Sequence, residues 1–396
     1  MFESLQSLAV DPLLGLITQF NNDSRDNKID LGVGVYRDAQ GQTPVLDCVK
    51  RAEATLLAQE NSKAYVGPGG NSAFNQAMIK LAFGEGFSVE HKRRIVALQT
   101  PGGCGALRLA AELVVKTQAA PCLWVSNPTW ANHEPLLGGA GLNIRHYSYY
   151  NYDTNTLDFD AMLADLEQAK AGDLVLLHAA CHNPSGQDLS IGQWSRLADC
   201  LKDRSLIPLI DMAYQGFGSS LDDDAAGLRL VANTVDEMIV CLSCSKNFGL
   251  YRERVGAVMV LAKEPKAAEV CLSHLFSIAR GIYSMPPSHG ASIVAEILGS
   301  ESLQSQWQGE LNAMRDRILT VRKSLASKLQ QETGISRFDF IARQKGMFSF
   351  LGVSPAQVEA LAADQGVYMA GTSRISLAGL NPSNIDRFVH AVCSIL

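Results

Sequence analysis

From about residue 95 to 260 the chain alternates short apolar runs with stretches whose apolar residues recur at helical spacing. The runs RIVALQ, CLWVSN, NIRHYSY, DLVLLHA, LIPLID, MIVCLSC and RVGAVMVLA are mostly continuous in Val, Ile and Leu. That pattern belongs to strands covered on both faces. Between them, GALRLAAELVVKT and IGQWSRLADCLKDR place apolar residues three and four apart and predict helices. Such alternation predicts an α/β fold with a mostly parallel sheet. After about residue 300 the pattern changes. SLQSQWQGELNAMRDRILTVRKSLASKLQQE reads as one long amphipathic helix or two, and a smaller α+β segment follows. At 396 residues the chain is too long for one simple core, so two domains are expected.

In open α/β sheets, ligands bind beyond the carboxyl ends of the strands. Five of these ends carry functional-looking groups: TPGGCG (100–105), PTW (128–130), CHNPSG (181–186), DMAY (211–214) and SCSK (243–246). A glycine-rich turn opening a helix offers backbone N–H groups and a positive dipole end, which suits a phosphate. Ser243, Ser245 and Arg254 would add hydroxyls and a bidentate cation. A lysine in such company is a phosphate clamp or an amine nucleophile. There is no G-x-x-x-x-G-K-[ST], so the P-loop reading fails. SCSK matches S-x-x-K, but the S-D-N and K-T-G of a β-lactamase-type serine enzyme are absent. A Schiff-base lysine remains, activated by a site that lowers its pKa. Pyridoxal phosphate would need that lysine, a phosphate cradle, an acid for the pyridinium nitrogen and a ring stack. Asp211 and Trp130 can fill the last two places, although a loop aspartate more commonly caps a turn.

Composition narrows the partners. The net charge of -6 argues against nucleic acid and against an anionic membrane surface. No window is apolar enough to span a bilayer, and MFESLQSLAVDPLLG lacks the basic start and cleavage site of a signal peptide. A cytoplasmic protein is expected. The nine cysteines then read as free thiols. Neither the C-x-x-C of Cys241 and Cys244 nor the His178, Cys181, His182 cluster has a second ligand pair at zinc spacing, so no metal is expected.

Nearly end to end, the chain resembles a class I aminotransferase of the aspartate/aromatic type. LGVGVYRD, QTPGGCGALR, VSNPTWANH, CHNPSG, DMAYQGF, SKNFGLYRERVGA, YSMPPSHGA, GMFSF and SRISLAG fall in that family's order and spacing. The resemblance implies a fold type I pyridoxal-phosphate architecture. A large α/β domain with a mostly parallel seven-stranded sheet would occupy residues 46–310. A smaller α+β domain would be built from both termini, residues 1–45 (with an N-terminal arm) and 311–396. It also implies pyridoxal 5'-phosphate as cofactor and a homodimer with shared active sites.

The implied roles are as follows. Lys246 carries the cofactor as a Schiff base and moves the substrate's proton. Asp211 keeps the pyridine nitrogen protonated, Tyr214 and Asn183 hold the phenolic oxygen, and Trp130 covers the ring. Gly103, Cys104, Ser243 and Arg254 bind the phosphate, with Tyr65 reaching in from a second subunit. Arg374 forks onto the substrate α-carboxylate, helped by Asn183 and the Gly34 backbone, with Trp130 alongside. Arg280, also from the other subunit, meets a distal carboxylate. His133 and His178 stand behind Trp130 and Asp211, though a histidine in LVLLHAAC also reads as a satisfied core residue.

Strict aspartate enzymes of this family commonly carry Asn where this chain has Ala64, Thr where it has Cys104, and Asn where it has Met285. Each change removes a hydrogen-bonding group or weakens it. The expected activity is therefore ping-pong transamination of aromatic amino acids, and of aspartate, with 2-oxoglutarate. An aspartate aminotransferase proper is the alternative, and a pyridoxal-phosphate lyase of the same fold a more distant one. A non-catalytic module is disfavoured, because every position the chemistry needs is filled.

Overall fold

All seven apolar runs are strands of one sheet: β1 (Ile95–Pro101), β2 (Cys122–Asn127), β3 (Asn143–Ser148), β4 (Leu174–His178), β5 (Ile207–Met212), β6 (Met238–Ser243) and β7 (Val255–Leu261). The structure is a computed structural model and describes residues 2–7 and 12–396. Part of the expected N-terminal arm, residues 1 and 8–11, lies outside the described residues. The sheet order is β1-β7-β6-β5-β4-β2-β3. β7 is antiparallel to both its neighbours, and every other pair is parallel.

Burial explains the apolar runs. Every residue of β6 and β7 is buried, as continuous Val/Ile/Leu composition requires of central strands. The edge strand β3 behaves differently. Among its residues only Tyr147 is buried, its hydroxyl donating to Leu176 O at 2.8 Å. Arg145 and His146 stay on the outside, where charge discourages pairing with another sheet.

The helices begin where the chain chemistry dictates. α1 (Gly102–Val115) follows β1 directly, and its N-cap Pro101 provides no side-chain cap. α2 (Ile191–Asp203) opens on a capping box between Ser190 and Gln193 and buries Trp194, Leu197 and Leu201. α3 (Pro265–Ile282) starts with Pro at its first position, where a missing N–H costs nothing. α4 (Glu301–Thr333) is a single helix rather than two. Its Trp307 is fully buried, donates to Asn247 O at 2.7 Å and stacks on Phe248 at 4.4 Å. The segment just after Lys246 is thereby fixed from beneath.

The chain divides into two compact units, Pro44–Asp316 and, together, the N-terminal segment to Thr43 with Arg317–Leu396. The boundaries expected from the sequence fall after residues 45 and 310, the observed ones after Thr43 and Asp316. The larger unit contains the sheet. In the smaller one, β8 (Phe348–Phe350) pairs antiparallel with β9 (Arg374–Ser376). Ile29–Asp30 pairs in parallel with Val367–Tyr368, which ties the two ends of the chain together. α5 (Pro355–Gln365) has a capping box at Ser354 and ends on Gly366 in the left-handed conformation. Arg25 donates to the carbonyls of Ala362 and Ala363 in the last turn of α5, each at 2.9 Å. Among the described residues, no helix is long and apolar enough to cross a membrane.

Candidate active site

The antiparallel strand creates the first part of the site. β7 runs against β1 and β6, so its first residues meet their carboxyl ends: Val255 pairs with Pro101, and Gly256 with Thr100 and Ser243. Arg254, just before β7, is thereby delivered to the start of α1. A Cβ on Gly102 would lie 2.5 Å from Arg254 Nη2, and one on Gly103 would lie 3.1 Å from Ser243 Cβ. Only glycine fits at 102, where φ is also +70°. Ser243 Oγ donates to Ser245 Oγ at 3.1 Å, and Arg254 Nη1 donates to Ser245 Oγ at 3.5 Å and to Tyr251 O at 3.1 Å. Arg254 holds φ at +52°, a conformation that persists where the surroundings dictate it. Two hydroxyls, a guanidinium and a helix N-terminus without a side-chain cap thus converge, and this donor set fits a phosphate. The Cys104 thiol accepts weakly from Asn132 Nδ2 at 3.8 Å.

The second part is an acid held ionised. Asp211 lies opposite His178 across β4 and β5. Burial by itself would push the Asp211 carboxyl up. The His133 hydrogen bond and the charges of His133, His178 and Lys246 outweigh this and hold it below its ordinary value. His133 Nε2 stands 3.0 Å from Asp211 Oδ2, and its Nδ1 2.7 Å from Thr129 Oγ1. The nearest donor atoms of His133, His178 and Asp211 all lie within 4.8 Å of one another. Both nitrogens of His133 are already engaged within the protein. A carboxylate accepts several hydrogen bonds, so Asp211 retains capacity for a pyridinium N–H.

His178 extends this cluster inward. Its Nδ1 accepts from the Asn183 backbone N–H at 3.1 Å, which places the ring proton on Nε2. Nε2 has no hydrogen-bond partner among the described residues. Burial, with His133 adding to it and Asp211 opposing, pushes His178 down to about 3. The ring stacks at 4.3 Å on His182, which stacks at 4.1 Å on Tyr149. Ser126 and Ser185 hold the two nitrogens of His182 at 3.0 and 2.8 Å.

Lys246 follows β6 in a turn whose neighbours Ser245 and Asn247 are buried. Burial lowers its pKa; Asp211 and Cys104 oppose that shift, and Arg254 assists it. Its Nζ sits 4.8 Å from the centroid of the Tyr214 ring. Trp130 packs edge-on against His133 at 5.2 Å. The larger unit therefore brings together Gly103, Cys104, Ser243 and Arg254 in one group, and Trp130, Asn183, Asp211, Tyr214 and Lys246 in a second that touches it. The cradle, the ionised acid and the neutral-leaning amine together fit pyridoxal phosphate.

Four expected residues remain. Gly34 and Arg374 belong to the smaller unit, where Arg374 Nη2 donates to Gly32 O at 2.8 Å. Tyr65 is 92% exposed on a stretch without regular structure. Arg280 is exposed in the last turn of α3, and its Nη1 donates to Ser284 Oγ at 2.7 Å. Among the described residues, no hydrogen bond or ring contact joins Tyr65 or Arg280 to the Lys246 group. Thr129 as the partner of His133 was not legible in the sequence, because it precedes the helix that begins at His133. The reading of the sequence also missed His182, which stood out only as a metal candidate.

The chain matches the model of the family described as aminotransferase class I and II over residues 26–392. It is 45% identical over 394 residues to the aromatic-amino-acid aminotransferase of Pseudomonas aeruginosa, spanning 100% of this chain and 98% of that one. It is 43% identical to the aspartate aminotransferase of Escherichia coli (strain K12) over 396 residues, spanning 100% of both. The structure of the Burkholderia pseudomallei aromatic-amino-acid aminotransferase, covalently bound to pyridoxal phosphate, superposes with a TM-score of 0.97 at 40% identity, covering 100% of this chain and 99% of that one. The cradle at Gly102, the ionised Asp211 and the half-buried Lys246 agree with these likenesses, and the chain belongs to the class I and II aminotransferases as a pyridoxal-phosphate-dependent enzyme.

Proposed function

We propose that the protein transaminates aromatic amino acids and aspartate with 2-oxoglutarate as a homodimer. The observation that carries the breadth of substrate is Arg280. It is exposed, and its one hydrogen bond among the described residues is to Ser284. A carboxylate buried without a partner is costly, so this guanidinium closes on an acidic side chain. A guanidinium whose N–H donors are buried without acceptors is also costly, so it turns to water when the side chain is aromatic. Ala64 and Met285 offer no hydrogen-bonding group that would hold it in place. The relatives named above divide between aromatic-amino-acid and aspartate aminotransferases, which agrees with a site that serves both.

When bound, pyridoxal phosphate supplies an aldehyde for the amino group and a ring that draws electrons from Cα. The chain does the rest. Burial favours the neutral amine of Lys246, which is the form that acts as a nucleophile and as a base for the Cα proton. Asp211 would pair with the pyridinium N–H, while Ser243, Arg254, Cys104 and the amides at Gly103 would hold the phosphate. Tyr214 and Asn183 would bind the phenolic oxygen, and Trp130 would cover the ring. Arg374, with the Gly34 backbone, would fix the α-carboxylate and so set the direction in which the Cα–H bond is presented. Tyr65 and Arg280 complete the site of a second copy. All nine cysteines are free, which suits the reducing cytoplasm.

Turnover of aspartate, phenylalanine, tyrosine and tryptophan, each with 2-oxoglutarate, tests the substrate reading. Comparable kcat/KM for phenylalanine and aspartate supports it, and activity on aspartate alone replaces it with a plain aspartate aminotransferase. Mixing Lys246→Ala chains with Arg280→Ala chains tests the shared site. Hybrid dimers regain aspartate turnover if each site draws Lys246 from one chain and Arg280 from the other, and no recovery rejects the sharing.

A further inference from the structure

We propose that Phe348 is a positioning residue for substrate recognition: its ring is the platform that sets the Arg374 guanidinium and the Gly34 backbone for an α-carboxylate. The inference rests on the reading of Arg374 as the carboxylate clamp. It lies wholly within the smaller unit.

Strand pairing puts the residues side by side. Phe350 lies opposite Arg374 and Phe348 opposite Ser376, so Phe348 and Arg374 are diagonal neighbours on one face of the β8–β9 ribbon. The Arg374 Cζ stands 4.4 Å from the centroid of the Phe348 ring. At its para carbon, Phe348 fills the space a side chain at residue 34 would need. A Cβ on Gly34 would lie 2.7 Å from Phe348 Cζ. Arg374 also donates to the carbonyl of Gly32, two residues before Gly34. One ring thus touches both groups assigned to the carboxylate.

The ring itself is fixed. Phe348 is buried, and its carbonyl accepts from Arg322, a fully buried guanidinium. The same guanidinium donates to Ile341 O at 3.0 Å and Gly346 O at 2.8 Å, pinning the approach to β8. A buried cation spent on backbone carbonyls is an expensive way to hold a strand unless that strand's position matters.

An aromatic platform suits a clamp for a chemical reason. A guanidinium lying over a ring is stabilised through its face, while its N–H donors point outward along its edge. The ring has no acceptor that competes with an incoming carboxylate. An aspartate in the same place would order the arginine equally well and would occupy the donors. Phenylalanine is preferred to tyrosine because the para carbon abuts Gly34, which leaves no room for a hydroxyl.

The test uses the Phe348→Leu and Phe348→Met holoenzymes, with Arg374→Lys as a control. Methionine conserves volume, so that variant decides the matter if leucine destabilises the unit. Three quantities are read: affinity for 3-phenylpropionate, an aromatic carboxylate without an amino group; KM and kcat for phenylalanine; and the cofactor absorbance with the thermal midpoint. The expected result is about a tenfold loss of 3-phenylpropionate affinity and a matching rise in KM, with kcat within about threefold of wild type and the absorbance unchanged. Wild-type affinity and KM in both variants, while Arg374→Lys loses binding, overturns the role of Phe348 and leaves Arg374 as the clamp. Unchanged binding in Arg374→Lys removes the clamp reading and this inference with it.

Discussion

Lys246 and Arg374 are the two cations to which the proposed mechanism gives the amine and the carboxylate clamp, and their units treat them in opposite ways. Lys246 sits where burial drives its pKa down, with Asp211 and Cys104 resisting and Arg254 assisting. Arg374 lies over a phenylalanine ring and donates to a backbone carbonyl. The first cation must give up its charge to react, so its surroundings penalise the charge. The second is proposed to keep its charge and grip a carboxylate, and its surroundings support the charge through a ring face and the Gly32 carbonyl. An ammonium loses its proton when buried, and a guanidinium does not. The choice of side chain and the choice of environment are one decision.

The sharpest way to break this comparison is to exchange the cation types. Lys246→Arg keeps a charge that cannot be shed, and Lys246→Ala removes the amine. Both should abolish turnover, and borohydride should fix the cofactor on a wild-type peptide containing Lys246. Label recovered on Lys63 or Lys345 would assign the nucleophile elsewhere. Arg280 sharpens the contrast, because it is exposed where Arg374 is only partly so. Arg280→Leu should lower kcat/KM for aspartate by roughly 30-fold or more, the cost of losing a charge-assisted pair, and leave phenylalanine turnover far less affected. Equal losses for both substrates would show that Arg280 does not discriminate between them.

The smallest effect concerns pH. His178 has a folded-state value of about 3 against an ordinary 6.5. As pH falls from 6.5 towards 3, the unfolded chain takes up a proton that the folded chain refuses, so stability is lost across that window and is fully present above it. The thermal midpoint of His178→Gln should therefore fall less steeply than that of wild type between pH 6.5 and 4. His182, held well below its ordinary value by burial, contributes in the same direction, so the slope is reduced rather than removed. Identical acid limbs would mean that His178 does not stay neutral in the folded protein.

The sheet was legible because its strands carry their burial in their composition. MIVCLSC contains β6 and RVGAVMVLA contains β7 almost to the residue. The order of the strands was not legible, since nothing in RVGAVMVLA says that it enters between β1 and β6 and runs backwards. The residues of the Lys246 group were legible because they follow strand ends in a recognisable order. The Phe348 platform was not. Its contacts reach back to Gly34 and across to Arg374, and distant pairings of this kind leave no local periodicity. Arg322 was hidden for a similar reason. It stands in a helix rich in charged residues, and only the fold shows that this one is fully buried.

The reversed strand has a consequence for assembly. Gly102 and Arg254 lie far apart along the chain and meet because β7 fills the gap between β1 and β6. Until that strand is seated, the sheet is split and the phosphate cradle does not exist. A ligand that binds the completed cradle and not the split sheet adds its binding free energy to the folded state, so the thermal midpoint rises with cofactor concentration. The cofactor is in this sense a keystone: a phosphate held in the cradle would lock the reversed strand against its two neighbours.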